Sequence, residues 1–484
     1  MFSPAELWLR RGMNRESGIG RLKDAMEERG MNAIRIPFLR LVVVLLVAAS
    51  HPARAEESMV DAGAVRAALD AALTGMAGLQ RNGGWTTAAT PGLELRWGQD
   101  KPVGEAWITL QPPATPSIAE VYLRAARILE NDAWRAVAAR AHAAITAMQN
   151  EHGGFPHEGN PERPPRGAGT FDDGVTTGCA MFLLHWWQET QAPADRALVD
   201  RVGAFILNAQ YADSGGWPQA YPPNPGGYQK DITLNDGVMR NVLFTLLAFH
   251  TATGDARYLD AAKRGGECLI RLQGPGEEAI WAQQYKHDTL KPSWARNFEP
   301  PGYTPNESIG VCDALVALYF ATREERYLAP LPHAFQWYDT HRLENGLYAR
   351  LYEPDTQRPV YGRRDKAEKV YELENATGGY GWQGDWYPRR AREWYECIQG
   401  SGAEPCAAAY MEQQRRVSAP SNEEVSRLIR QLSAEGLWTS PPTAGEREEY
   451  SRHGIKADLP LVRSGEFVAH AGKLLDWLES ADVN

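Results

Sequence analysis

Three times along this sequence a run of helix-forming residues stops at a Gly-Gly-aromatic step: LQRNGGW at Leu79–Trp85, MQNEHGGF at Met148–Phe155 and AQYADSGGW at Ala209–Trp217. Paired glycines end a helix because they adopt backbone conformations closed to other residues. A second marker alternates with the first, a short acidic-to-basic hinge seen as NDAWR at Asn131, ADRAL at Ala194, DARYL at Asp255 and EERYL at Glu324. Each hinge follows a helix with apolar residues at i, i+3 and i+4, such as Val238–Phe249 or Val311–Ala321, and precedes a more amphipathic one. The unit is helix, hinge, helix and a Gly-bearing excursion, recurring about every 60 to 70 residues. A lone helical hairpin cannot bury its apolar face, so several must stack or close into a ring. The expected fold is all-α: an α/α toroid, a complete or incomplete ring of hairpins, with short β excursions on one rim.

Three excursions are long: Thr86–Pro116, His152–Gly169 and Glu277–Thr304. Loops of that length in a compact domain are usually functional or disordered, and on a common rim they build a groove. Four regions are expected. Residues 1–55 are an upstream extension plus leader, 56–390 the toroid, 391–420 a linker, and 421–484 a C-terminal helical pair packing on the toroid. In the leader, Arg35 and Arg40 precede the apolar run Leu41–Ala49, and Ala53-Arg54-Ala55 follows, the pattern of an export signal over about 31–55 starting at Met31. The expected location is periplasmic or secreted, with no membrane attachment after cleavage.

The full chain carries 51 Lys/Arg against 61 Asp/Glu. Residues 1–55 hold nine and five of these, so their removal leaves 42 against 56, a formal charge of −14. Such a balance argues against nucleic-acid binding, which needs a basic face. An acidic polymer remains compatible if cations or a metal are concentrated in one groove. Of the five cysteines, Cys179, Cys268 and Cys312 lie in apolar helical patterns and read as core. Cys397 and Cys406 lie in the linker stretch and could pair in an oxidising compartment.

Candidate chemistry gathers at helix starts. TFDDG (Thr170–Gly174) holds Asp172 and Asp173, and LNDG holds Asn235 and Asp236 at the equivalent place one repeat later. Asp and Asn at such positions serve first as helix caps. Two equivalent starts on neighbouring hairpins can also face one cleft, and clustered carboxylate and amide oxygens suit Ca²⁺. Arg296 lies between aromatics in WARNFEPPGYTPNESIG (Trp294–Gly310), which also holds Glu307 at the next helix start. Arg350 in LYARLYE and Arg364 in YGRRD read as a strand pair with both arginines on one face. Arginines near an acidic cleft point to a ligand bearing carboxylates.

Together GGWPQAYP, ITLNDG, IWAQQYKHDTLKPSWARNFEPP, ESIG, YARLYE and GRRD, in that order, resemble the pectate lyases of polysaccharide lyase family ten. TFDDGVTT resembles that family's upstream Asp segment, and the similarity covers roughly residues 167–386. The resemblance implies an α/α toroid that cleaves polygalacturonate by Ca²⁺-dependent β-elimination, and a monomer is expected. It implies Asp172, Asp173 and Asp236 as metal and substrate acids and Arg296 as catalytic base. Arg350, Arg364, Asn235 and Trp217 are implied as substrate-binding groups. Phe298 and Asp231 stand where the family commonly has Tyr and His. Rival readings are a glycoside hydrolase using Asp236 with Glu307, or Asp172 with Asp236, and a non-catalytic binder of acidic polysaccharide. An isoprenoid cyclase is suggested only by the Gly-Gly-Trp steps, and its DxDD motif is absent from the sequence.

Overall fold

The computed structural model describes residues 60–276, 279–415 and 418–481, so the expected leader lies outside the described residues. Its helices are α1 (Ala62–Gly78), α2 (Thr115–Ile128), α3 (Asp132–Ala147), α4 (Val175–Thr190), α5 (Pro193–Asn208), α6 (Val238–Thr253) and α7 (Ala256–Leu272). They continue with α8 (Pro305–Thr322), α9 (Leu331–Thr340), α10 (Arg389–Ser401), α11 (Ala403–Arg415), α12 (Asn422–Gln431), α13 (Ala444–Arg452) and α14 (Ser464–Ala481). Helices α2, α4, α6, α8 and α10 pack side by side in that order as an inner layer, with α3, α5 and α7 pairing outside α2, α4 and α6. Helices α2, α4, α6 and α8 bury most of their length, whereas α10 buries only Ala391 and Ile398. Outer α7 buries one face: Tyr258, Ala261, Ala262, Gly265, Cys268, Leu269 and Leu272. Hinge residues Asn131 and Asp255 cap α3 and α7 by accepting from the backbone N–H of Ala133 (3.0 Å) and Arg257 (2.9 Å). The result is the expected α/α toroid. Cys179, Cys268 and Cys312 are buried free thiols.

The Gly-Gly-aromatic step is a joint between neighbouring outer helices. Gly215 has φ 78°, and a Cβ there would stand 2.4 Å from the Arg264 carbonyl oxygen on α7. Gly83 and Gly153 meet Arg140 on α3 and Arg201 on α5 in the same way. The Gln beside each helix end completes the joint. Gln210 Nε2 donates to Gly215 O and Ala261 O, both at 2.9 Å, and Gln80 Nε2 to Gly83 O and Val137 O. The aromatic then folds inward. Trp85, Trp217, Trp281 and Trp438 each donate Nε1–H to a carbonyl of the preceding outer helix: Met76, Ile206, Leu269 and Leu428. Trp217 is fully buried. Its expected place in a substrate groove is therefore corrected: an indole whose polar atom is already satisfied in the core is out of a ligand's reach.

The excursions are stitched to one another. Ile108–Thr109 pairs with Glu158–Gly159, Gly169–Thr170 with Ala220–Tyr221, and Ile232–Thr233 with Gln284–Tyr285, all antiparallel. Each pair joins one excursion to the next, so the excursions share a rim.

One region differs from expectation. Residues 391–420, expected to be a linker, contain the helical hairpin α10–α11, which carries the Cys397–Cys406 disulfide, and α10 packs on α8. Proximity of Gly and Pro to the cysteines hid a helix whose register is set by its packing. At the C-terminus, α14 lies against both α1 and α2. Part-buried Arg124 on α2 pairs with Asp476 (2.6 Å) and Glu479 on α14, and a Cβ on Gly436 would collide with Ala71 O on α1. The last inner helix thus completes a hairpin with the first outer helix. Among the described residues no helix is long and apolar enough to cross a membrane.

Trp217→Phe leaves the Ile206 carbonyl without its donor inside the core. It should lower unfolding free energy by about 1–3 kcal/mol in denaturant titration while leaving KM for any groove ligand unchanged. A raised KM with unaltered stability would return Trp217 to the groove.

Candidate active site

The starts of α4 and α6 share one backbone shape. Asp173 (φ 48°, ψ 21°) and Gly174 (φ 71°, ψ 21°) are matched by Asp236 (φ 52°, ψ 23°) and Gly237 (φ 70°, ψ 21°). A non-glycine residue in this left-handed region costs about 1–2 kcal/mol, so the same excursion in consecutive repeats marks a function. The capping expectation fails here. The N-cap residues are Gly174 and Gly237, and no side chain caps either helix. The left-handed pair instead brings the two acidic turns against each other. Helix α8 adds a third acid. Asn306 Nδ2 donates to Glu307 at its start, as Asn235 Nδ2 donates to Asp236 on the neighbouring turn.

These carboxyls crowd one another. Burial, then the negative charges of Glu307, Asp173 and Asp172, push Asp236 up to about 8, with Arg296 opposing. Burial and Asp172 likewise raise Asp173. Burial also works against charge on Asp172, but hydrogen bonding from His157, Gln219 and Asp236 outweighs it and holds that carboxyl below its ordinary range. One proton is thereby held on Asp236 while Asp172 stays ionised.

Sequence reasoning missed His157, whose Nε2 stands 3.6 Å from Asp172 Oδ2. Among the described residues, His157, Asp172 and Asp173 form a group that could hold a metal ion, their ligand atoms lying within 4.8 Å of one another. Asp236, expected in the metal set, is outside that group and joins it through its effect on Asp172. Buried Asp172 Oδ1, Asn235 Oδ1 and Gln219 Oε1 have no hydrogen-bond partner. Three oxygens left unsatisfied beside an ionised acid fit a cation. The only advance sign of His157 was its place in the excursion that ends at TFDDG.

Opposite the acids lie the arginines. Arg296 is gripped by buried Glu299, Nε to Oε2 at 2.6 Å and Nη2 to Oε1. Gln283 Nε2 (3.0 Å) and the Tyr380 hydroxyl (2.8 Å) also donate to Glu299. Hydrogen bonding to Glu299 raises the Arg296 pKa further above its already high range. Burial disfavours charge on Glu299, yet its bonds to Arg296, Tyr380 and Gln283 win and its carboxyl is lowered. Arg296 and Arg364 both cover the Phe298 ring, their guanidinium carbons 4.9 and 4.2 Å from its centre. Arg350 stacks on Tyr380 (4.6 Å) and Trp386 (5.8 Å), with Nη2 3.7 Å from Glu307. Its buried Nε has no acceptor. The structure thus gathers Asp172, Asp173, Asn235, Asp236, Arg296, Arg350 and Arg364, and leaves Trp217 out. The strand expectation changes in detail: the strand at Tyr348–Ala349 pairs with Gln383–Gly384, and Tyr361–Gly362 with Lys369–Val370.

A family model described as pectic acid lyase matches residues 145–390, a span holding every one of these groups. The chain belongs to the pectic acid lyase family. Among solved structures, a family 10 polysaccharide lyase from Cellvibrio cellulosa is 21% identical at a TM-score of 0.46, over 59% of this chain and 98% of that one. A mutant of that lyase in complex with trigalacturonic acid gives the same figures. A glycoside hydrolase family 76 mannosidase from Bacteroides thetaiotaomicron is 10% identical at a TM-score of 0.47, over 87% of this chain and 100% of that one. No curated protein matches the chain. The acids and arginines thus come from the starts of three neighbouring inner helices and the excursions around them.

The pH response of this lyase follows from Asp236. Its folded pKa of about 8 lies above the unfolded value, so from about pH 4 to 8 the native state binds more protons than the unfolded chain. Without a divalent cation, the melting temperature should fall as pH rises through that window, and Asp236→Asn should flatten the slope. Added Ca²⁺ should raise it more at pH 8 than at pH 5, because cation and proton compete for the same acids.

Proposed function

We propose that this chain is a pectate lyase that cleaves α-1,4-polygalacturonate by Ca²⁺-dependent β-elimination, leaving a 4,5-unsaturated uronate. The observation that carries this reading is the pairing of an under-neutralised acid cluster with three arginines on aromatic faces. A neutral sugar has no use for the arginines, and a phosphate or nucleic-acid ligand would be repelled by the acids. A uronate polymer matches both, its carboxylates meeting arginine directly and meeting the acids through a shared cation.

Elimination removes the proton on C5, alpha to the carboxylate, and expels the oxygen on C4. Negative charge grows on the carboxylate as the C5–H bond breaks, so fixed positive charge there favours the transition state over the ground state. Asp172, Asp173 and Asp236 would hold the calcium ion through their carboxylate oxygens, with His157 steadying Asp172, and the ion when bound would add positive charge against that carboxylate. Arg350 and Arg364 would orient neighbouring uronates, and Asn235 would position Asp236 through its amide. Arg296 is assigned the C5 proton. In the pair with Glu299 it is fully charged, so this role requires the pair to open as substrate enters; the half-exposed Arg296 side chain (44%) has room to move. The leader at 31–55 assigns the enzyme to the periplasm or the exterior, acting as a monomer.

The test is incubation of the mature chain with polygalacturonate, with and without Ca²⁺, following ultraviolet absorbance of the C4–C5 double bond. Calcium-dependent absorbance is expected; reducing ends without it would mean hydrolysis and end the lyase reading. Arg296→Ala should retain substrate binding and lose on the order of 10²–10⁴ in turnover. Substantial residual activity would remove Arg296 from the base role.

A further inference from the structure

The residues assigned so far leave half of the reaction unserved. The departing glycosidic oxygen needs a proton, and none of those groups is assigned to give one: the guanidiniums hold theirs tightly, and Asp236 is assigned to the cation.

Tyr228 answers the need. It opens a 3-10 turn, Tyr228–Lys230, in the segment between GGWPQ and ITLND. That turn is pinned to both acidic turns. Gln229 O accepts from Gln219 N (2.9 Å), and Gln219 O accepts from Phe171 N (2.8 Å), one residue before Asp172. On the other side, Asp231 N donates to Tyr228 O (2.8 Å), and the chain runs through the Ile232–Thr233 strand into Asn235 and Asp236. The half-buried phenol lies within electrostatic reach of Arg296, Glu299, Asp172 and Asp236, the charged groups that face it from the surrounding turns. Burial keeps it protonated above the usual phenol range, with Arg296 drawing it back.

Its hydroxyl differs from those of the core tyrosines. Tyr285 donates to Leu272 O, Tyr338 to Pro305 O, Tyr348 to Tyr338 O, and Tyr380, beside Arg296, to Glu299. The Tyr228 hydroxyl has no hydrogen-bond partner among the described residues. With its ring half-buried and its hydroxyl uncommitted, the phenol is free to donate to a ligand in the groove.

We propose that Tyr228 is the general acid of the elimination, delivering its phenolic proton to the glycosidic oxygen as the C4–O bond breaks. The C5 proton passes to the base and the C5–H electron pair becomes the C4=C5 bond. The C4–O pair stays on the oxygen, which takes the phenol proton and leaves as a new reducing-end hydroxyl. The phenolate, steadied by the nearby Arg296 cation, regains its proton from water as the base releases one, so no proton is gained or lost overall. This rests on the lyase reading. If wild-type protein forms no unsaturated product, that reading fails before Tyr228 is tested.

With wild-type turnover established, Tyr228→Phe should fold with an unchanged melting temperature and lose about 10²–10⁴ in kcat, with KM within about twofold. Tyr228→His, which restores a proton donor, should regain at least about tenfold over Tyr228→Phe. Turnover of Tyr228→Phe close to wild type, a loss carried mainly by KM, or a loss that His does not partly restore would each overturn the assignment.

Discussion

The structure is organised around negative charge that the protein places together without neutralising. Asp172, Asp173, Asp236 and Glu307 come from the starts of three neighbouring inner helices, and burial together with their mutual repulsion keeps a proton on Asp236. Buried like charges of this kind are expensive, and a fold keeps them only where something else completes the site. The arginines nearby do not complete it. Arg296 is committed to Glu299, Arg364 lies over Phe298, and Arg350 reaches Glu307 only at 3.7 Å while stacking on Tyr380 and Trp386. Acids and guanidiniums are held in one groove yet largely apart, the arrangement needed if each set is to meet a ligand rather than the other.

Holding that arrangement is the task of the repeat. Bringing acids from separate hairpins within a few ångströms requires the hairpins to advance by a constant step. The glycine that touches the next outer helix, the glutamine bridging the same two helices and the indole tied to a carbonyl set that step. Gly215, Gln210 and Trp217 do this between α5 and α7, as Gly83, Gln80 and Trp85 do between α1 and α3. Joining α14 to α1 and α2, with part-buried Arg124 between Asp476 and Glu479, ties the last described helix to the first two. The rigid part of the molecule is thus the helical ring, and the excursions stitched along its rim carry the chemistry.

This division explains what could be seen beforehand. The toroid was legible because repeated spacing reports a repeated unit, and the acids were legible because TFDDG and LNDG occupy equivalent positions in it. Direction was not legible. Nothing in GGWPQ says that Trp217 turns into the core, and nothing in DDG or NDG says that the aspartates take left-handed conformations instead of capping. Both outcomes are set by contacts with the neighbouring hairpin. His157 and Glu299 escaped for the same reason, since each becomes functional only through a partner elsewhere in the chain or after a tight turn. The α10–α11 hairpin was taken for a linker because its weak apolar pattern gains meaning only against α8.

Charge balance in the groove links metal and substrate. Five carboxyls (Asp172, Asp173, Asp236, Glu307 and Glu299) face three guanidiniums (Arg296, Arg350 and Arg364), so even with a proton on Asp236 the groove is negative on balance. A polyuronate brings more negative charge into the same space, and at a few ångströms in a partly desolvated cleft each added like charge costs on the order of a few kcal/mol. A divalent ion among the acids would bring that balance to about zero even with Asp236 ionised. In the proposed lyase, then, cation and substrate should bind cooperatively, each lowering the electrostatic cost of the other. The Arg296–Glu299 pair belongs to the same balance: added positive charge weakens the hold of the guanidinium on its proton, the direction that abstraction at C5 requires.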